Sequence, residues 1–187
     1  WSKLLAAFIP TGIIGFILYK LVKGYLLGNN SIAVWALGIG GVLLILFEFF
    51  HKDKSSSQES LQELADMSYV KAIAIGFAQA LAIIPGVSRS AATIVAGRAF
   101  GISRAAIVEF SFLLAVPTML MASGYELLKS SPHLDVGQYG FLLIGLVTAF
   151  ITAYFSARWL LRYVQSHNFI AFGIYRIIIA FAFIPFL

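Results

Sequence analysis

Hydrophobic residues lie in long runs along this chain, and the polar residues are collected in the intervals between the runs. An apolar helix of about 20 residues crosses a bilayer, and five of the runs are close to that length. They predict five membrane-spanning helices, over residues 4–25, 32–50, 104–128, 138–158 and 169–187. Within the second run, Gly38, Gly40 and Gly41 predict close packing against another helix.

The apolar stretch between residues 68 and 104 is different, because a polar sequence divides it. The divider is Pro85-Gly86-Val87-Ser88-Arg89-Ser90. Each apolar flank is about half a membrane span long. Proline ends a helix because it has no amide hydrogen, glycine permits a sharp turn, and Ser88 or Ser90 can cap the next helix. The pattern predicts a re-entrant pair of half-helices.

The divider also carries the chemistry of an anion site. A helix N-terminus offers unpaired N–H groups and partial positive charge. Arg89 adds a planar fork that matches phosphate oxygens, and Ser88, Ser90 and Thr93 add hydroxyl groups. Irregular backbone at membrane depth is tolerated only inside protein or beside a water-filled cavity, which favours a buried site. The alternative is a surface loop from which Arg89 snorkels.

Composition sets the fold class. The chain is 60% hydrophobic and 11% charged, which excludes an ordinary soluble domain and predicts an all-α, polytopic membrane helix bundle. The net charge of +5 comes from residues scattered at loop ends, so it does not indicate nucleic acid. If the half-helix pair re-enters, most basic residues share the face of the 51–66 loop, which the positive-inside rule makes cytoplasmic, with the C-terminus outside.

Two of the charged residues within the predicted spans leave alternatives open. Glu109 either faces a polar cavity or is an interfacial carboxylate near Arg98 or Arg104. Arg176 either snorkels or forms a structural pair, which we favour, or it faces the same cavity as Arg89. From the residues alone, a phosphate site at membrane depth fits an anionic lipid or a transported anion equally well.

Three motifs resemble one family. The sequence from Gln79 to Thr93 resembles the second signature of the bacterial undecaprenyl-diphosphate phosphatases, the bacitracin-resistance family. Residues 109–117 resemble the family's following segment, and residues 172–176, Phe-Gly-Ile-Tyr-Arg, resemble its last helix. The resemblance covers the whole chain in order and spacing.

The resemblance implies an inverted-repeat fold. Residues 1–187 would be one integral-membrane domain, in which 1–66 are the last two spans of the first repeat plus the loop, and 67–187 are the second repeat. The family's first signature, two glutamates followed by Pro-Val-Ser-Ser and a histidine, is absent from this sequence. We therefore expect an N-terminally incomplete family member, inactive on its own, although the intact protein would be active.

The implied activity is hydrolysis of undecaprenyl diphosphate to undecaprenyl phosphate and inorganic phosphate in the bacterial inner membrane. This recycles the lipid carrier for cell-wall synthesis and gives resistance to bacitracin. The implied partners are the isoprenyl diphosphate, membrane lipids and possible homodimer contacts. A divalent cation, Mg²⁺ or Ca²⁺, is implied as cofactor, with ligands mostly outside this chain; we assign no metal ligand within it.

The family's residue roles carry over onto matching positions. Arg89, Ser88 and Ser90 would be catalytic, gripping the diphosphate and stabilising charge as the P–O bond breaks. The wider phosphate-binding set adds Thr93, Gly86 and Gln79, of which Gln79 would face the break and orient water. Supporting positions on the next span are Glu109 and Ser111.

Two other functions remain open on the residues. The chain could belong to a membrane carrier or flippase for a lipid phosphate or a small anion. It could also be a scaffold without an active site, in which Ser88, Arg89 and Ser90 only stabilise the bundle.

Overall fold

The computed structural model describes residues 1–26, 28–51, 60–130 and 136–187, and regular structure in these ranges is entirely helical. This confirms the all-α class. The α-helices in chain order are α1 (Ser2–Leu21), α2 (Asn30–Phe50), α3 (Ser60–Asp66), α4 (Tyr69–Ala80), α5 (Arg89–Ala99), α6 (Arg104–Ser130), α7 (Val136–Ser166) and α8 (Ile170–Phe183). A π-helical turn follows α1 (Val22–Leu26), and 3₁₀ turns follow α4 (Leu81–Ile83) and α8 (Ile184–Phe186).

Among these helices α1, α2, α6 and α7 are long and apolar enough to cross a membrane, by length and composition. The predicted fifth span differs, because α8 has only 14 residues before a 3₁₀ turn that contains Pro185. Proline has no N–H group with which to continue the α-helical ladder. Helix α3 lies in the 51–66 stretch where only a loop was predicted, and residues 52–59 of that loop lie outside the described residues.

Helix α7 is longer than the sequence pattern predicted. Its 31 residues continue beyond residue 158, where the predicted span ends, and include both Arg158 and Arg162. Arginine is a good helix former, and the intervening Trp-Leu-Leu contains neither glycine nor proline, so nothing in the local sequence ends the helix there. A change from apolar to charged residues marks the edge of a membrane span and not the end of its helix.

The predicted break is present between α4 and α5, which have 12 and 11 residues and pack against each other. Ser68 caps α4 by accepting a hydrogen bond from the amide of Lys71 at 3.3 Å. Ser88 caps α5 by accepting from the amide of Ala91 at 3.2 Å. The two half-helices form a hairpin, which places the first turn of α5 at the polar divider.

Glycines allow the closest helix contacts. A Cβ atom on Gly76 of α4 would lie 2.0 Å from the carbonyl oxygen of Ala7 in α1. Between α2 and α8 the approach is reciprocal. A Cβ on Gly41 would lie 2.7 Å from the Gly173 oxygen, and one on Gly173 would lie 2.9 Å from the Gly41 oxygen. The predicted role of the α2 glycines in close packing is confirmed.

We expect Gly76→Ala to destabilise the bundle by about 2 kcal/mol, the typical cost of forcing extra atoms into a packed interface. The added methyl group would meet backbone, which cannot rotate away. Gly15→Ala in α1 is the matched control, because a Cβ there meets no atom within 4 Å. Unfolding of the purified protein in detergent measures both, and equal shifts in the two variants would contradict the prediction.

Polar contacts fasten the connection between α5 and α6. Gly101 turns the chain with a φ of +81°, and Ser103 then caps α6 by accepting from the amide of Ala106. Arg104 forms a salt bridge with Glu48 of α2 and donates a hydrogen bond to the oxygen of His167 at 3.0 Å. These contacts hold α5 and α6 at defined positions relative to α2 and α7.

Candidate functional site

Gly86 shapes the polar divider. Its φ of +88° lies in the left-handed region, and a Cβ atom there would lie 2.1 Å from the carbonyl oxygen of Ala33 in α2. The amide of Val87 donates to the oxygen of Ile84 at 3.1 Å and closes the turn. Only glycine satisfies both the backbone angle and the contact. The turn therefore lies directly against α2.

The first residue of α5 is Arg89, which is partly buried. Its Nη1 donates to Oγ1 of Thr118 in α6 at 2.9 Å. The hydroxyl oxygens of Ser88 and Ser90 lie 3.1 Å apart beside it. One arginine and two hydroxyl groups thus converge at the N-terminus of α5, as the sequence predicted.

Arg176 of α8 lies on the same cavity. Its Nη2 donates to the carbonyl oxygen of Gly86 at 3.0 Å. Gly40 of α2 leaves room for it, because a Cβ at that position would lie 2.6 Å from the same nitrogen. Arg176 does not snorkel to a surface. The alternative that we did not favour, a cavity shared with Arg89, describes its position.

The cavity has a volume of about 430 Å³ and two kinds of wall. The polar wall consists of the divider and α5 residues Ser88, Arg89 and Ser90, with Ser111 of α6 and Arg176 of α8. The rest is mainly apolar and aromatic, from Leu37, Leu44, Ala91, Ile94, Val108, Phe112, Ala115, Leu160, Val164, Phe169, Phe172 and Tyr175. This combination suits a ligand with a charged head and an apolar chain.

Charge in the cavity is unbalanced. Two guanidinium groups line it, and no aspartate or glutamate is among the described residues of its wall. The two arginines are held instead by neutral acceptors, the Thr118 hydroxyl and the Gly86 carbonyl. A partly buried positive charge without a countercharge is costly, so the site favours a ligand with at least two negative charges.

One predicted site residue, Thr93, supports the wall from behind. Thr93 is fully buried and donates to the carbonyl oxygens of Arg89 and Ser90 at 3.1 and 2.9 Å. Its Oγ1 lies 2.7 Å from the hydroxyl oxygen of Ser111, which does line the cavity. Thr93 therefore joins α5 to α6, and of these two residues only Ser111 lines the cavity.

Gln79 lies outside the cavity wall. Its side chain is only 2% exposed, and its Nε2 donates to Oγ1 of Thr11 in α1 at 3.3 Å. The prediction that Gln79 faces the break and orients water does not describe this position. The physical reason is helical periodicity: Ala72, Ile75, Gly76 and Gln79 share one face of α4, and that face packs on α1.

Glu109 also lies outside the cavity wall, although it is partly buried on α6. Ser111 is two residues further along and faces the cavity, and residues two apart point in different directions on a helix. Of the two supporting positions predicted on α6, the structure places Ser111 at the cavity.

The wall does not offer the ligands that a divalent cation needs. Mg²⁺ and Ca²⁺ are bound by carboxylate and carbonyl oxygens, whereas the charged groups here are guanidinium ions. Across the described ranges, no group of three histidine, aspartate or glutamate side chains could hold a metal ion. The residues of this cavity therefore do not fit a divalent cation.

Of three further residues in this arrangement, the sequence pattern put Arg176 at the site only as the alternative that we did not favour, and it gave Thr118 and Gly40 no place there. An arginine inside the last apolar run was the available signal for the first, since such residues usually mark functional sites. Gly40 was assigned to packing only. Nothing in the local sequence distinguished Thr118 from other threonines of the apolar helices.

Known proteins match the chain over nearly its whole length. The family described as bacitracin resistance protein BacA matches residues 1–182. A protein named undecaprenyl-diphosphatase from Sulfurihydrogenibium sp. (strain YO3AOP1) is 49% identical over 95% of this chain and 69% of its own length. A protein of the same name from Aquifex aeolicus (strain VF5) is 43% identical over 100% of this chain and 71% of its own length. A third protein of that name, from Thermus thermophilus, is 40% identical over 96% of this chain and 67% of its own length. The chain belongs to the bacitracin resistance protein BacA family.

Proposed function

We propose that this protein is an undecaprenyl-diphosphate phosphatase, which hydrolyses undecaprenyl diphosphate to undecaprenyl phosphate and inorganic phosphate. The observation that carries the proposal is the pair of arginines, Arg89 and Arg176, on a cavity whose wall, apart from three serines, is otherwise mainly apolar. A diphosphate matches the two charges, and an isoprenoid chain matches the apolar wall. The names of the relatives and the family agree with this assignment.

In the proposed reaction, Arg89 and Arg176 bind the diphosphate oxygens through charge-assisted hydrogen bonds. The N–H groups at the start of α5 and the hydroxyl groups of Ser88 and Ser90 hold the terminal phosphoryl group. Water adds its oxygen to the terminal phosphorus, the bond to the bridging oxygen breaks, and the lipid monophosphate leaves. The fixed positive groups stabilise the charge that develops on the phosphoryl oxygens.

The protein is a multi-pass membrane protein of this family. We place it in the bacterial inner membrane, with the 51–66 loop in the cytoplasm and the C-terminus outside, because the positive-inside rule supports that orientation. We also propose the two-repeat division at residues 66 and 67, and homodimer formation. Any divalent cation in the reaction would take its protein ligands from outside the described cavity wall.

The test is phosphate release by the purified full-length protein. Undecaprenyl diphosphate in detergent should yield one inorganic phosphate and one undecaprenyl phosphate per turnover. Liposomes that carry the same lipid in one leaflet distinguish the rival function. A carrier would move the lipid across the bilayer and leave the diphosphate intact, and that result would overturn the phosphatase assignment.

A further inference from the structure

The contacts of Thr118 define how Arg89 is held. The Thr118 hydroxyl donates to the carbonyl oxygens of Leu114 and Ala115 in its own helix, both at 2.9 Å. Its hydrogen is therefore used by the helix backbone. The oxygen lone pairs point away from that backbone, and one accepts the bond from Nη1 of Arg89, also at 2.9 Å.

From this geometry we propose that Thr118 is a positioning residue that orients the Arg89 guanidinium for the phosphoryl group. The proposal rests on the phosphatase function given above. Thr118 does not line the cavity, so it acts through Arg89 and not on the substrate. The Thr118 hydroxyl is held in place by its own helix. Its hydrogen bond restricts the Arg89 side chain, which would otherwise adopt several rotamers, to one orientation.

A neutral acceptor suits this task better than a carboxylate. An aspartate or glutamate at this place would hold the guanidinium by two parallel bonds and would cancel its charge. The threonine oxygen accepts from one nitrogen only. The other donors of the fork, and the whole positive charge, stay available for phosphate oxygens.

Thr118→Val tests the proposal, because valine keeps the shape of threonine and removes the oxygen. We expect the kcat for phosphate release from undecaprenyl diphosphate to fall by roughly ten- to a hundredfold, the size of a lost hydrogen bond to a charged group. The KM should change much less, since misorientation weakens the transition state more than ground-state binding. Thr118→Ser should restore most of the rate.

Thr148→Val is the matched control. Thr148 of α7 makes the same bond to the carbonyl oxygen four residues earlier, at 2.8 Å, and lies outside the cavity wall. Its substitution should leave kcat unchanged. In an Arg89→Ala background, Thr118→Val should cause no further loss, because the group that it orients is gone.

The outcomes separate this inference from the function on which it rests. If the unsubstituted protein releases no phosphate, the phosphatase assignment fails. If it is active and Thr118→Val matches its rate, the positioning role is wrong. If serine and valine at position 118 lower kcat equally, packing and not the hydroxyl oxygen matters, which also overturns the inference.

Discussion

Arg89→Ala should lower phosphate release from undecaprenyl diphosphate by roughly a hundred- to a thousandfold, the effect typical of removing one preorganised donor from a transition state. The side chain is only partly buried and has no carboxylate partner among the described residues, so its loss leaves no opposing charge uncompensated. We therefore expect the amount of folded protein and its unfolding temperature to stay close to those of the unsubstituted protein.

Two variants sharpen this result. Arg89→Lys keeps the positive charge and loses the planar fork, so its activity should be intermediate. Arg158→Ala is the control for a general loss of charge, because Arg158 is exposed on α7, and its Nη1 donates to the Tyr154 hydroxyl at 3.3 Å, away from the cavity. Full turnover by Arg89→Ala would show that the reaction does not depend on Arg89 binding the diphosphate.

Gly86→Ala should both destabilise the protein and abolish most of its activity. A left-handed φ costs an L-residue about 1 kcal/mol. The contact at 2.1 Å with the Ala33 oxygen adds an overpacking cost of about 2 kcal/mol. Relief of that contact would move the turn, and with it the carbonyl that accepts from Arg176. Detergent unfolding and phosphate release measure the two effects.

Gly101→Ala separates these contributions. Gly101 has a similar φ of +81°, but a Cβ there meets no atom within 4 Å. Gly101→Ala should lower the free energy of unfolding only by the cost of the left-handed φ, about 1 kcal/mol, and should keep its activity. If both variants behave alike, the close approach of α2 to the turn has no role in the site.

The half-helix break could be predicted because its signals are local. A proline, a glycine and a capping serine act within a few residues of their own position, and the structure has the turn and the Ser88 cap where the pattern put them. The spans α1, α2 and α6 were predictable for the same reason, since apolar length is a property of one segment.

The rest of the site depends on which helices are neighbours. Gln79 adjoins the break in sequence, but the face of α4 that carries it packs on α1. Arg176 lies 90 residues from Gly86 along the chain and reaches it because glycines bring α8 close to α2. Hydrophobic patterning cannot show that pairing, because every face of a membrane helix is apolar.

Helix α2 touches the site twice, with Ala33 against the turn and Gly40 against the second arginine. Seven residues of helix, about 10 Å of rise, separate these two points. Helix α2 thereby sets the distance between the turn that precedes Arg89 and the guanidinium group of Arg176. A substitution on the outer face of α2 that tilts the helix would change the distance between the two arginines that meet the two phosphates. The substituted residue itself would lie far from both arginines.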